Sequence, residues 1–479
     1  MRLFLIGWTG KSFGHIDVVY NLKKHGHEIV YWTGRNLDGE IDKTQFPGTI
    51  FHEYSDVLWC RPPAGVGGLE FAPPGEELLE HFLGVESVVL TMMNKLFDQL
   101  PVSERKHLYY HYVGYWFGVF KKLKPDAVLF LVAPHTNYDF VIYSLAKLLG
   151  VKTLLFMLTR LNDRILFMND FVLGSIALKA ELQKNKNQNW SLNDLAKDIR
   201  DYYVIQKTLA KPIPIDVINY AKAYSGFNKL LVKLRSFWTT LTVLKDYSIF
   251  LKILTHPLRR FGQNQKTEYA ALAAPPDFSK KFIYAALNQQ PESTTSPLGG
   301  IFVDQLLMLK VLSSSIPSDW LIYVKEHPMQ WKLRGSDYFS YRYRGYYKAM
   351  AALHNVRIVP INTDNFYLID KSQCVATVNG TTNWEAVLRG KPSLVFGYAW
   401  YREAPGVFKV NNAEACKVAL KEIIDGRVQV ARQDIINYLF SFDKASIRAY
   451  TDEYFLPVTT VSIEESVQNY TRVILNELT

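Results

Sequence analysis

No apolar run in this 479-residue chain approaches the roughly 18–20 residues needed to cross a bilayer as a helix. The opening stretch, MRLFLIGWTG, breaks at Gly7 after a short apolar run. It predicts a buried strand rather than a signal peptide. Cysteine is scarce. Cys60, Cys374 and Cys416 are widely separated and odd in number, and no CxxC pair is present. That argues against a disulfide framework and a zinc site, and makes a reducing cytoplasm the expected location. There is no zinc-finger spacing, RNA-recognition signature or long Lys/Arg run, so nucleic acid is excluded as a partner class. No DxD carboxylate pair lies near an expected strand end, so no metal site is expected.

What is present is a globular composition: 48% hydrophobic and 21% charged residues, with 14% aromatics and a formal net charge of +10. The length fits two domains with some additional chain. Strand–loop–helix–strand order begins at once. Residues 1–6 and 28–32 read as strands around a helix over 15–24. The pattern returns with strands over 127–132 and 152–157 around a helix over 138–149. These make one Rossmann-like domain over 1–173. Residues 174–278 differ. Ser191 and Asp194 have capping-box spacing, Pro212 and Pro214 interrupt the chain, and 227–254 reads as a long helix with apolar residues on more than one side. Across 222–266 there are nine Lys/Arg and a single acid, Asp246. Two readings stay open: an interdomain helical insertion with a solvated basic face, or a surface that rests on anionic lipid. A second α/β domain spans 279–430, with strands over 282–287, 321–324, 356–359, 374–378 and 393–396. The tail, 431–479, reads as helices packing back on the first domain, the last of them opened by Ser462 and Glu465.

In open α/β sheets ligands lie beyond the carboxyl ends of the strands, so the residues just after each strand carry the chemistry. After 321–324 come Lys325, Glu326, His327 and Pro328. The cationic pair suits a phosphate, and Pro328 stops the strand. After 374–378 come Asn379, Gly380, Thr381 and Thr382, opening a helix that contains Glu385. A glycine, two hydroxyls and unsatisfied first-turn N–H groups make an anion nest. Glu385 is read as either a helix-dipole carboxylate or a ribose ligand. After 282–287 the loop carries Gln290 and Glu292. Gln290 is read as a nucleotide contact, and Glu292 as an acid/base candidate or a plain loop carboxylate. In the first domain His135, Asp139 and Asp163 follow strands and are the candidates for a base or an acceptor-orienting group. Gly10-Lys11-Ser12 imitates the end of a phosphate-binding loop, but Leu5 stands where that motif needs its first glycine.

The run NQQPESTT, then VDQ, IPSDWLIYVKEHP and NGTTNWEAVLRGKPSLVFG resembles the bacterial capsule polysaccharide biosynthesis proteins, which include Kdo transferases, over roughly 281–401. The resemblance implies an α/β GT-B-like fold: two Rossmann-like domains facing a cleft, with a helical insertion between them and C-terminal helices. It implies a metal-independent glycosyltransferase that needs no cofactor and takes its sugar from a nucleotide, commonly CMP. The acceptor would be a surface or capsular polysaccharide or a glycolipid. Carried over by motif, the donor phosphate falls to His327, Thr381 and Thr382, and no catalytic base can be matched. The expected location is the cytoplasm, with peripheral contact on the inner face of the cell membrane under the lipid-binding reading of 222–266. The alternatives are a polyol-phosphate transferase of teichoic-acid type using a CDP-linked donor, with His15 or His135 as a second catalytic histidine; a UDP-sugar 2-epimerase; and a non-catalytic carbohydrate-binding scaffold.

Overall fold

The computed structural model describes residues 1–63, 66, 71–161, 163–208, 228–242, 247, 249–251, 253–254, 264–331, 341–451 and 459–479. The chain forms two compact units. One comprises Met1–Ala177, Ile213–Lys252 and Ser446–Thr479; the other comprises Leu178–Pro212 and Ile253–Ala445. Among the described residues, no helix is long and apolar enough to cross a membrane.

The first unit is built on β1 (Arg2–Ile6), β2 (Glu28–Gly34), β3 (Ile50–Glu53), β4 (Ala127–Phe130), β5 (Lys152–Leu158) and β6 (Arg164–Met168). The sheet order is β6-β5-β4-β1-β2-β3, with a two-residue strand, Ile447–Arg448, added beside β6. Strands β1 to β5 are parallel, whereas β6 and the added strand run antiparallel. The central parallel strands β1, β2, β4 and β5 are apolar and buried through their middles, as in sheets covered on both faces. Leu3, Leu5, Trp32, Leu129 and Phe156 share one core with Tyr470 and Ile474 of the last helix, Ile463–Leu478. The Ser462 hydroxyl caps that helix by accepting the Glu465 N–H at 3.1 Å.

The second unit holds β7 (Phe282–Ala286), β8 (Leu321–Lys325), β9 (Val356–Ile358), β10 (Cys374–Thr377), β11 (Ser393–Val395) and β12 (Val407–Lys409), all parallel. The order is β12-β11-β10-β7-β8-β9. From β7 the chain winds outward through β8 and β9. It then returns to the other side of β7 with β10. The strand order therefore reverses between β7 and β10, and that is where an open sheet leaves its crevice. Two Rossmann-like units in one chain is the GT-B composition.

Three boundaries differ from the sequence reading. The tail divides: the helix Arg432–Ala445 belongs to the second unit, and only the chain from Ser446 onward joins the first. The stretch over 174–278 is not a separate insertion, since its residues are shared between the two units. The long helix expected over 227–254 is described as Asn228–Thr242, followed by described residues only at 247, 249–251 and 253–254. Much of 222–266, including Lys222, Lys245, Lys252, Arg259 and Arg260, lies outside the described residues.

Candidate functional site

The loops after β7, β8 and β10 are hydrogen-bonded to one another. Asn288, after β7, donates through Nδ2 to Asn379 Oδ1 after β10 at 3.1 Å. Gln290 and Gln330 exchange two hydrogen bonds, each 2.9 Å, between the β7 and β8 loops. Strand β7 sits between β8 and β10. With strands about 4.8 Å apart, their ends are still close enough to address one ligand.

The helix that opens at the switch point is Thr381–Leu388, longer at its start than the sequence suggested. Both Thr381 and Thr382 lie in its first turn and are half-buried. Gly380 precedes them. Its N–H is held by the Thr377 hydroxyl at 2.9 Å, and its carbonyl accepts the hydroxyl of buried Tyr401. The loop is thereby fixed from both sides, leaving the first-turn N–H groups and two hydroxyls beyond the β10 end. Oriented N–H groups with the positive end of the helix dipole favour an anion there. Asn379 is buried and engaged with Asn288, so it shapes the loop. Glu385 is half-buried on the same helix. It lies near enough to buried Tyr284 and Tyr401 to add to the burial that already raises both phenols well above their ordinary range.

His327 is also half-buried at the end of β8. Its Nδ1 accepts the Met329 N–H at 3.2 Å, which assigns the proton of the neutral ring to Nε2. The ring therefore presents a donor, the chemistry a phosphate oxygen needs. Pro328 is exposed beside it. The backbone beneath is held by Glu326, whose Oε1 accepts the His327 N–H at 2.7 Å.

Two residues expected to touch the nucleotide are instead framework. The Lys325 ammonium is buried and donates to the Thr363 carbonyl and to Asn365 Oδ1, each at 2.5 Å. Desolvation pushes its pKa down to about 8, partly offset by Asp364. Alternation along β8 sends Lys325 and Glu326 to opposite faces, which is why one joins the β9 loop and the other the interior. Gln290 is buried, donates to the Val303 carbonyl at 2.6 Å and accepts from Arg342. Glu292 is half-buried, and its carbonyl accepts the Thr295 and Ser296 N–H groups, each at 3.1 Å, closing a turn.

Arg342 was not foreseen from the sequence. It is fully buried against Glu326, with Nε to Oε2 at 2.8 Å, and it reaches the Asn288 carbonyl at 3.0 Å. Tyr347 donates to the same carboxylate at 2.7 Å. One ion pair thus ties the β7 and β8 loops together beneath His327. No local pattern marks such a residue, because its partners lie 16 and 54 positions away in the chain.

In the first unit, His135 and Asp139 stand together beyond β4, with His135 Nδ1 3.6 Å from Asp139 Oδ2. Asp139 is buried. It accepts the N–H groups of His135 and Thr136, the latter at 2.8 Å, and closes the capping box of the helix Asn137–Leu148. Burial outweighs these bonds and pushes its carboxyl up to about 7. Desolvation, then the nearby charges of Lys95 and Arg35, holds His135 down at about 4, so the ring is neutral at pH 7 and a weaker base than an ordinary imidazole. Asp163 is placed differently. It sits in the β5–β6 turn at φ 61° and accepts the Thr460 N–H at 2.8 Å, which anchors the C-terminal segment. That is a structural assignment, and nothing brings it to His135. His15 is likewise a core residue, fully buried between the carbonyls of Thr9 and Tyr450 at 3.0 and 3.2 Å.

The glycine loop after β1 is closed by its own chain. Gly10 N–H donates to Glu40 Oε2 at 2.6 Å and Lys11 N–H to the same oxygen at 3.2 Å. A carboxylate already occupies the position an anion would take there, so the phosphate-loop resemblance has no counterpart in space. Among the described residues, no group of three or more His, Cys, Asp or Glu side chains is arranged to hold a metal ion.

Residues 293–440 match the family model described as capsule polysaccharide biosynthesis protein. The match covers the turn after β7, all of β8 to β12 and the Thr381–Leu388 helix. No curated protein matches the chain. Similar solved structures include the beta Kdo 2,7 transferase KpsC of Thermosulfurimonas dismutans, at 12% identity over 75% of this chain and 89% of that one, with a TM-score of 0.32. They also include the lipopolysaccharide outer core galactosyltransferase WaaB, at 12% identity over 100% of both chains, TM-score 0.27. A third is the UDP-GlcNAc 2-epimerase of Neisseria meningitidis, at 14% identity over 100% of this chain and 99% of that one, TM-score 0.22.

Proposed function

From a second unit in which residues 293–440 carry the capsule polysaccharide biosynthesis family match, we propose that the protein is a GT-B glycosyltransferase. It moves a sugar from a nucleotide-activated donor, CMP-linked and Kdo-like, to a surface polysaccharide or glycolipid acceptor. The observation that carries the reading is the meeting of the β7, β8 and β10 loops around the Thr381–Leu388 N-terminus, at the switch point of the second sheet. The CMP-linked sugar itself rests on the resemblance of the KEHP and NGTT segments to that family.

In this reading the acceptor hydroxyl attacks the anomeric carbon, the bond from that carbon to the phosphate oxygen breaks, and the electron pair leaves on the phosphate. The Thr381 and Thr382 hydroxyls, the first-turn N–H groups and His327 Nε2–H donate to the phosphate as its charge grows. Donors fixed in advance favour the charge-separated state over the ground state. Glu385 holds the ribose. Glu292 is the second unit's acid/base group for the acceptor proton; His135 and Asp139 are the first unit's candidates for a base or an acceptor-orienting group.

The test is thermal stabilisation by CMP, CDP, UMP and UDP. A nucleotide at 100 times its Kd adds about 2.7 kcal/mol to the folded state. CMP should raise the transition of the second unit most. Stabilisation by UDP alone would favour the epimerase reading, strongest stabilisation by CDP the polyol-phosphate transferase, and no response to any nucleotide the carbohydrate-binding scaffold.

A further inference from the structure

Among the described residues, exposed apolar side chains concentrate on the helix Asn228–Thr242 and the described residues that follow it. Leu230, Leu231, Leu234 and Trp238 are each about half exposed, Trp238 at 61%. At about 100° per residue, Phe237, Leu230, Leu241, Leu234, Trp238 and Leu231 fall on one arc of about 120°. Exposed Arg235 lies about 40° outside one border of that arc. The Phe237 and Phe250 rings meet edge to face at 6.0 Å, which joins Phe250 and its exposed neighbour Leu251 to the same patch. An uncovered stripe of this breadth opposes the usual tendency of a helix to bury its apolar face, and marks an interaction surface.

We propose that this helix lies in the plane of an anionic lipid bilayer, with Leu230, Leu231, Leu234 and Trp238 inserted at the headgroup boundary and the flanking Arg235 on a lipid phosphate. Two features select a bilayer over a protein groove. Exposed Arg235 borders the apolar arc, where an Arg stem lies along the apolar boundary while its charge reaches the headgroup plane. The surrounding segment, 222–266, carries nine Lys/Arg against one acid, a complement to a negative surface. Trp238 supplies the amphipathic ring favoured at such interfaces. The proposal does not depend on the sugar chemistry of the second unit, so the two can fail separately.

The full chain is mixed with vesicles of phosphatidylcholine alone, or with about a third phosphatidylglycerol, and sedimented at low and high salt. Binding to the anionic vesicles at low salt, about tenfold or more above neutral ones and lost at high salt, is expected. Trp238→Phe should remove most of the vesicle-induced blue shift in tryptophan emission. Leu234→Ser and Arg235→Glu, both at exposed positions, should each weaken sedimentation while leaving the melting temperature and nucleotide response unchanged. Equal binding to neutral and anionic vesicles would overturn the proposal. So would absence of vesicle binding together with concentration-dependent self-association abolished by Leu234→Ser, which would make the stripe an interface between copies of the chain.

Discussion

Replacing Arg342 by Met removes a charge that the structure has buried completely. The Glu326 carboxylate would lose its Nε bond at 2.8 Å and its Nη2 contact at 3.3 Å, keeping only the His327 N–H and the Tyr347 hydroxyl, each at 2.7 Å. The Asn288 carbonyl would lose its Nη2 donor at 3.0 Å. Breaking a buried pair from one side leaves an uncompensated charge and costs about 3–5 kcal/mol. At about 2–4 °C per kcal/mol for a unit of this size, the second unit should melt roughly 6–20 °C lower, with the first little changed. Calorimetry on the full chain reads both transitions. The double variant Arg342→Met/Glu326→Leu removes both charges and should recover most of the loss, because two apolar side chains of similar volume tolerate burial where one charge does not. Nucleotide stabilisation should remain weak in the double variant, since the His327 backbone has lost its acceptor. A single variant within about 1 kcal/mol of the parent would refute the reasoning, as would a double variant no more stable than the single.

His327→Ala and Thr381→Ala should each lower kcat about a hundredfold, on the order of 3 kcal/mol per lost donor, with the melting temperature retained; normal turnover in a less stable protein would make His327 structural. Glu385→Ala should raise KM with kcat nearly unchanged if the carboxylate holds the ribose in ground and transition states alike. Buried His15 and His52 and half-buried His135 have pKa values held down at about 4, desolvation being the first cause in each, against about 6.5 unfolded. Their contribution to the first unit's stability should be fully present above pH 6.5 and lost as pH falls through 4. Asp139, raised to about 7, acts oppositely, its stabilisation fading as pH rises from about 4 to 7. Asp139→Asn should therefore steepen the rise of stability with pH in chemical denaturation, and an unchanged slope would remove Asp139 from the account. Nucleotide binding is expected to survive EDTA without added Mg²⁺, and its full loss with restoration by Mg²⁺ would overturn that expectation.

The parallel strands were legible because each is a short apolar run next to a helix-period stretch, a signal that survives without knowledge of the neighbours. Hence β1, β2, β4, β5 and β7 to β11 were anticipated within a residue or two. Strands β3, β6 and β12 were not. Ile50–Glu53 is short and half polar, and Arg164–Met168 follows β5 after a tight turn, so periodicity alone read it as loop. The strand-end rule placed His327 after β8 and Gly380, Thr381 and Thr382 after β10, as the structure has them, since a strand's end in the sequence is also its carboxyl edge in space.

The sequence by itself determined two Rossmann-like patterns, the polar loops after β7, β8 and β10, and the basic, apolar character of 222–266. Only the tertiary structure decided which side chains of those loops are held by internal hydrogen bonds. Lys325 and Gln290 turned inward because their partners, Thr363 and Arg342, come from distant segments. Tertiary structure likewise placed β7 between β8 and β10, joined the last helix to the first unit while leaving Arg432–Ala445 in the second, and filled the first glycine loop with Glu40. The physical reason is common to all of these. Hydrophobic periodicity is a property of neighbours in the chain, whereas hydrogen-bond satisfaction of buried polar groups is settled by whichever residues the fold brings within about 3 Å.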